Sequence, residues 1–126
     1  MFPQLNRIRA EWFTKKENKM KLMPKSIASK VPSLDATAEL SSAEQFAYVK
    51  FFNPCGGQTW WISAYDPETR EAFGFVNLGD PQCAELGYIS IDELEALKLP
   101  FGLGIERDLS FKKTPLDEIM NQVKRG

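Results

Sequence analysis

The stretch Phe46 to Phe52, FAYVKFF, alternates side chains in the manner of a strand, and it is closed by NPCGGQ, where a proline and two glycines spell a turn. TWWISAYD, Thr59 to Asp66, reads as its hairpin partner, DPETRE as the next turn, and AFGFVNLG as a third strand. The loop GDPQCAELGY then leads into a short extended piece, Leu86 to Ser90. In SIDELEALKL, Ser90 and Glu93 have capping-box spacing, Asp92 and Glu93 sit at the positive end of the helix dipole, and Pro100 follows the end. This predicts a helix over Ile91–Leu97. A further strand is expected over Ile105–Phe111. The ending TPLDEIMNQVKRG repeats the helix-start pattern, with Thr114 as N-cap and Leu116, Ile119, Met120 and Val123 on one face. Upstream, KSIASKVPSLDATAEL is broken by Pro32 and supports only a turn or two of helix.

The elements sum to an α+β fold: an antiparallel sheet of about four to five strands, largely a meander, with a short helix before its last strand and a C-terminal helix packed on it. At 126 residues, 43% hydrophobic, the chain suits one compact domain. Residues 25–126 are read as that domain and residues 1–24 as an N-terminal arm. Phe2, Leu5, Ile8 and Trp12 recur along the arm with basic residues between them, the pattern of a short basic amphipathic helix. Met20 is a candidate natural start, since codons for KKENKM can spell a purine-rich ribosome-binding sequence ahead of it. No apolar run reaches the length of a membrane span and the N-terminus lacks a signal-peptide core, so a cytoplasmic protein with no membrane partner is expected.

Charge divides the chain. Residues 1–30 hold eight Lys or Arg against two Glu, a net of +6, which leaves −7 for the rest. An acidic body of this kind can mimic nucleic acid and occupy the basic groove of a partner protein. The chain has no histidine, which removes the commonest general base, and its two cysteines, Cys55 and Cys83, have no zinc-ligand spacing. No phosphate-binding glycine loop is present. The sequence therefore points to no cofactor, no metal and no enzyme. Carboxylate chemistry through Asp80, Glu85, Glu106 and Asp108 is the residual enzymatic reading, set against an ordinary solvated acidic surface.

Two groups of residues stand out as candidate binding sites. The first is the triplet Glu106, Arg107, Asp108 inside the expected last strand. There Arg107 shares a face with Ile105, Leu109 and Phe111 and needs a partner, because an unpaired buried guanidinium is costly. Glu85 or Glu93 could hold it in a forked ion pair. The triplet is either a structural device that fixes strand register or a recognition site for an anion or a partner's carboxylate. The second group lies on the meander. If Ala47, Val49, Phe51, Trp60, Ile62, Ala64, Val76 and Leu78 form one face, the other shows Tyr48, Lys50, Trp61, Tyr65 and Phe75 among its residues. Such a face stacks unpaired bases when exposed, and is the second half of the core when helices cover it. The acidic body argues against phosphate binding unless the basic arm supplies it.

From MKLMPKSIASKVPSL at Met20, through YVKFFNP, TWWIS.YD, FGFVNLG, ELGYISIDELEAL and PFGLGIERDLSFK, to PLDEI, the chain resembles a family of small bacterial proteins known only as a domain of unknown function. Its signatures are ELGYxSxxEL and GLxIERDLxF, and the match spans roughly Met20 to Ile119. The resemblance implies carriage on plasmids, phages and integrative conjugative elements. It further implies an accessory role in DNA transfer, replication or evasion of host defence, and it brings no catalytic residues. Together these readings predict a non-enzymatic accessory protein that binds a protein partner of the host or the element. The alternative is a single-stranded nucleic-acid binder that uses the aromatic face.

Overall fold

The computed structural model describes residues 22–125; the amphipathic arm and the Met20 start therefore lie outside the described residues. Two four-residue helices, α1 (Lys25–Ala28) and α2 (Leu34–Thr37), lead to strands β1 (Phe46–Ala47), β2 (Val49–Phe52), β3 (Thr59–Asp66), β4 (Glu71–Asn77) and β5 (Glu85–Ser90). Helix α3 (Ile91–Ala96), strands β6 (Glu106–Arg107) and β7 (Thr114–Pro115), and helix α4 (Leu116–Arg125) complete the chain. Five strands form one antiparallel sheet in the order β5-β4-β3-β2-β6, while β1 and β7 pair apart from it. The architecture is α+β, as the patterning predicts.

Each turn is closed by a short polar side chain that satisfies the backbone where the ladder stops. Asn53 accepts from the Cys55 amide at 2.7 Å, Asp66 from the Glu68 amide at 2.9 Å, and Asn77 from the Gly79 amide at 3.0 Å. Ser90 caps α3 by accepting from the Glu93 amide at 3.2 Å, the bond its spacing forecasts.

A β-bulge governs the main sheet. The β3–β4 register shifts between Ile62 and Ala64, leaving Ser63 as the extra residue. Ahead of it, Trp60 and Ile62 join Val49 and Phe51 in a core on one side of the sheet; beyond it, Tyr65 joins that same core. Trp61 and Phe75 face the other way, into a second core closed by Leu116 and Ile119 of α4. Both faces of the sheet are thus covered, and β3 is buried without interruption from Trp60 to Tyr65. Gly74 makes the bulge feasible. A Cβ there would lie 1.8 Å from the Trp61 carbonyl oxygen.

Four expectations need correction. FAYVKFF is not one strand: the run breaks at Tyr48, β1 turns away to pair with Thr114–Pro115, and Ala47 enters the second core instead of joining Val49 and Phe51. The last strand stops at Arg107, because Asp108 folds back on Ser110, accepting from its amide at 3.0 Å and its hydroxyl at 2.8 Å. Leu109 is consequently exposed, and so is Leu78, which follows the end of β4. Thr114 lies in a strand, and α4 begins at Leu116, whose amide donates to the Gln45 carbonyl. The packed body also reaches back past residue 25, since Leu22 and Met23 are core residues.

Arg70 ends the β3–β4 turn in the left-handed region, φ 60°, where a non-glycine residue pays about 1 kcal/mol. Its side chain accounts for its presence. The guanidinium forks onto Asp92 at 2.6 Å and Glu95 at 2.8 Å, tying the hairpin to α3.

Two substitution pairs test this account. Gly74→Ala should cost at least about 3 kcal/mol in urea unfolding, whereas Gly87→Ala, with open space at the Cβ, should change stability by no more than about 0.5 kcal/mol. Arg70→Gly and Arg70→Ala both lose the fork, yet the glycine variant should be the more stable by about 1 kcal/mol, because only it relieves the backbone.

Candidate functional site

Arg107 and Asp108 open onto a cleft of about 490 Å³ where the β2–β6 edge meets the first helix. Ile27, Lys30, Tyr48, Val49, Leu109, Phe111 and Lys113 complete its lining. Three cations, Lys30, Arg107 and Lys113, thus surround a hollow that contains one carboxylate, Asp108, in a body whose charge is otherwise acidic. The Asx turn at Asp108 ends β6 after two residues, and Leu109, Phe111 and Lys113, which follow in the chain, line the hollow.

The charges are held in place. The Lys113 ammonium lies 4.3 Å from the Phe46 ring centre and 5.1 Å from that of Tyr48, a cation–π arrangement that fixes it at the rim. Arg107 donates to the Leu22 carbonyl at 3.0 Å and keeps further donors of its fork for other acceptors. The Lys50 ammonium lies 3.8 Å from the Asp108 carboxylate and 5.9 Å from the Trp61 ring centre. The Ser110 hydroxyl, with the Ser110 amide and Lys50, holds the Asp108 carboxyl below its ordinary range, so the cleft keeps its one negative charge throughout the neutral range.

Arg107 does not find the carboxylate partner expected of it. Among the described residues no acid lies within ion-pair distance; Glu85 is exposed at the start of β5 and Glu93 is exposed on α3. The forked pair belongs instead to Arg70, whose guanidinium is held firmly protonated by Glu95, the largest influence, and by Tyr65. Glu95 also accepts from the Leu22 amide at 2.8 Å. Leu22 is therefore gripped at its N–H by Glu95 of α3 and at its carbonyl by Arg107 of β6.

The triplet divides. Arg107 pairs with Phe51 and Glu106 with Phe52, so Glu106 points to the opposite face of the sheet from the cleft. The aromatic group divides as well. Trp61 and Phe75, with rings 5.7 Å apart, are buried under α4, and the bulge sends Tyr65 into the core on the other side. Only Tyr48, half-buried in the cleft, and Lys50 beside it remain near a surface hollow. Trp61, Tyr65 and Phe75 are core rings. Lys30 and Lys113, which make the cleft cationic, carry no sequence signal, because they lie more than eighty residues apart and meet only through the fold.

Neither cysteine is bonded. Both thiols are exposed, and the Asp80 carboxylate, 3.3 Å from Cys83, raises that thiol's pKa and keeps it protonated at neutral pH. Among the described residues no group of acids and cysteines is placed to hold a metal ion, and no helix is long and apolar enough to cross a membrane.

The family model described as protein of unknown function (DUF2958) matches residues 22–124. No curated protein and no solved structure matches the chain.

The lowered Asp108 value has a testable consequence. A carboxyl whose pKa is depressed on folding adds stability above its unfolded value, and that stability is lost as pH falls through the native value. Ser110→Ala should move the Asp108 carboxyl toward the ordinary range in a carbon-detected NMR titration. The same substitution should shrink the acid-side loss of stability, because its onset is set by the unfolded-state value and only its lower limit, the native value, moves up.

Proposed function

We propose, for a chain that belongs to this DUF2958 family and so brings no assigned activity, a non-enzymatic accessory role in a mobile genetic element, exercised by binding a protein partner. The cleft carries the reading. It sets three cations beside the apolar side chains of Ile27, Val49, Leu109 and Phe111, which suits a short acidic segment that also presents an apolar residue. The cations act at close range while the acidic body repels a long polyanion, so a few carboxylates are better accommodated there than an extended phosphate backbone. The partner is accordingly an acidic stretch of a host-defence or DNA-processing protein.

A titration of the full chain with a short Glu-rich peptide carrying one leucine tests this. Binding should weaken with salt and fall about tenfold or more in a Lys30→Glu, Lys113→Glu variant, since both lysines are exposed and neither is a core residue. A single-stranded oligonucleotide run in parallel should bind more weakly than the peptide. Tight oligonucleotide binding that the double variant abolishes would move the role to nucleic acid, and no anion binding in either assay would remove the cleft from consideration.

A further inference from the structure

The two edges of the main sheet are built differently. At one edge β6 is two residues long and ends in a turn, which leaves little backbone for another strand to pair with. At the other, β5 offers six residues, Glu85 to Ser90, and among the described residues nothing pairs with its outer side. Past Glu85 at its start it carries no charge and no proline, the usual devices that protect an edge. Tyr88, tilted at 51° against Phe73 with ring centres 5.2 Å apart, is 72% exposed. A hollow of about 280 Å³ and another of about 310 Å³ flank the strand, and Leu86 and Tyr88 line both.

The geometry points to a second copy of this chain as the occupant, added antiparallel to β5 about a two-fold axis so that two five-stranded sheets become one. A two-fold axis normal to a sheet keeps each face on its own side, so only residues of like parity can oppose one another. With Gly87 on the axis, Leu86 of each chain faces Tyr88 of the other, on the face that carries Phe73. The result is an apolar strip from ring to ring across the seam. A Cβ at Gly87 would meet nothing within 4 Å, so the face at the axis is open. The register also opposes no acid to an acid along the strand, since Glu85 of each copy faces Ile89 of the other. The anion-binding clefts lie at the far edges of the joined sheet, so the dimer is a two-site binder.

Sedimentation of the full chain over roughly a hundredfold range of concentration should show a concentration-dependent shift from 14.3 kDa to twice that mass. Tyr88→Lys should hold the chain at the lower mass throughout, and circular dichroism and Tm would confirm that this exposed substitution leaves the fold intact. In a Cys55→Ser, Cys83→Ser background, Gly87→Cys should give a linked dimer with a short thiol-to-thiol cross-linker, whereas Leu78→Cys, exposed but off the axis, should not. A chain that stays at 14.3 kDa at every concentration overturns the proposal and leaves the edge to a foreign strand. A dimer that Tyr88→Lys does not weaken, or cross-linking at Leu78→Cys equal to that at Gly87→Cys, overturns it as well.

Discussion

An extra residue at Ser63 decides which side of the sheet each later side chain of β3 occupies, and the two cores depend on it. Side chains alternate with a period of two, so one inserted residue reverses the parity of everything beyond it. Without the bulge, Tyr65 would fall on the same side as Trp61. With it, Tyr65 meets Ala72 in the first core and its hydroxyl lies 3.4 Å from the Arg70 guanidinium. The bulge has two requirements. Gly74 must lack a Cβ because the Trp61 carbonyl comes so close, and the buried Ser63 hydroxyl must find a partner. It lies 3.0 Å from both the Gln45 side-chain oxygen and the Phe73 carbonyl, and its single proton serves one of them at a time. Gln45 in turn donates to the Leu40 carbonyl at 3.0 Å and accepts, at its backbone carbonyl, from Leu116. One polar chain therefore connects the bulge to the segment before β1 and to the first residue of α4.

The charged network does the corresponding work at the start of the domain. Arg70 tolerates a left-handed backbone because its fork reaches two carboxylates on α3, and Glu95 uses the same oxygen to hold the Leu22 amide. Arg107 holds the carbonyl of the same residue. These partly exposed ion pairs contribute only modestly to stability. Their value lies in geometry, since they fix where the chain enters the first core and, through Arg107, one wall of the cleft. The device that positions Leu22 and the device that makes the cleft cationic share a residue.

Strand and helix identities are legible in the residues themselves because local chemistry sets them. Asn53, Asp66 and Ser90 close turns or cap a helix with bonds that reach only two or three residues, and the apolar face Leu116, Ile119, Met120, Val123 announces that α4 must pack on something. Arg107 was also identifiable as a cation in an apolar setting. Its partner was not, because a backbone carbonyl 85 residues away has no signature in a pattern of side chains.

The sequence by itself determined the α+β class, the meander, the cap of α3 and the residues rich enough in charge or aromatic surface to matter, all of which rest on interactions within a few positions of the chain. The tertiary structure alone decided which aromatic rings are core, since that turns on the parity reversal at Ser63 and the cover supplied by α4. It alone brought Lys30 to Lys113 across the cleft. Period-two patterning carries no mark of a single inserted residue whose neighbours are buried on both faces, and a site assembled from distant loops exists only once the long-range contacts have closed.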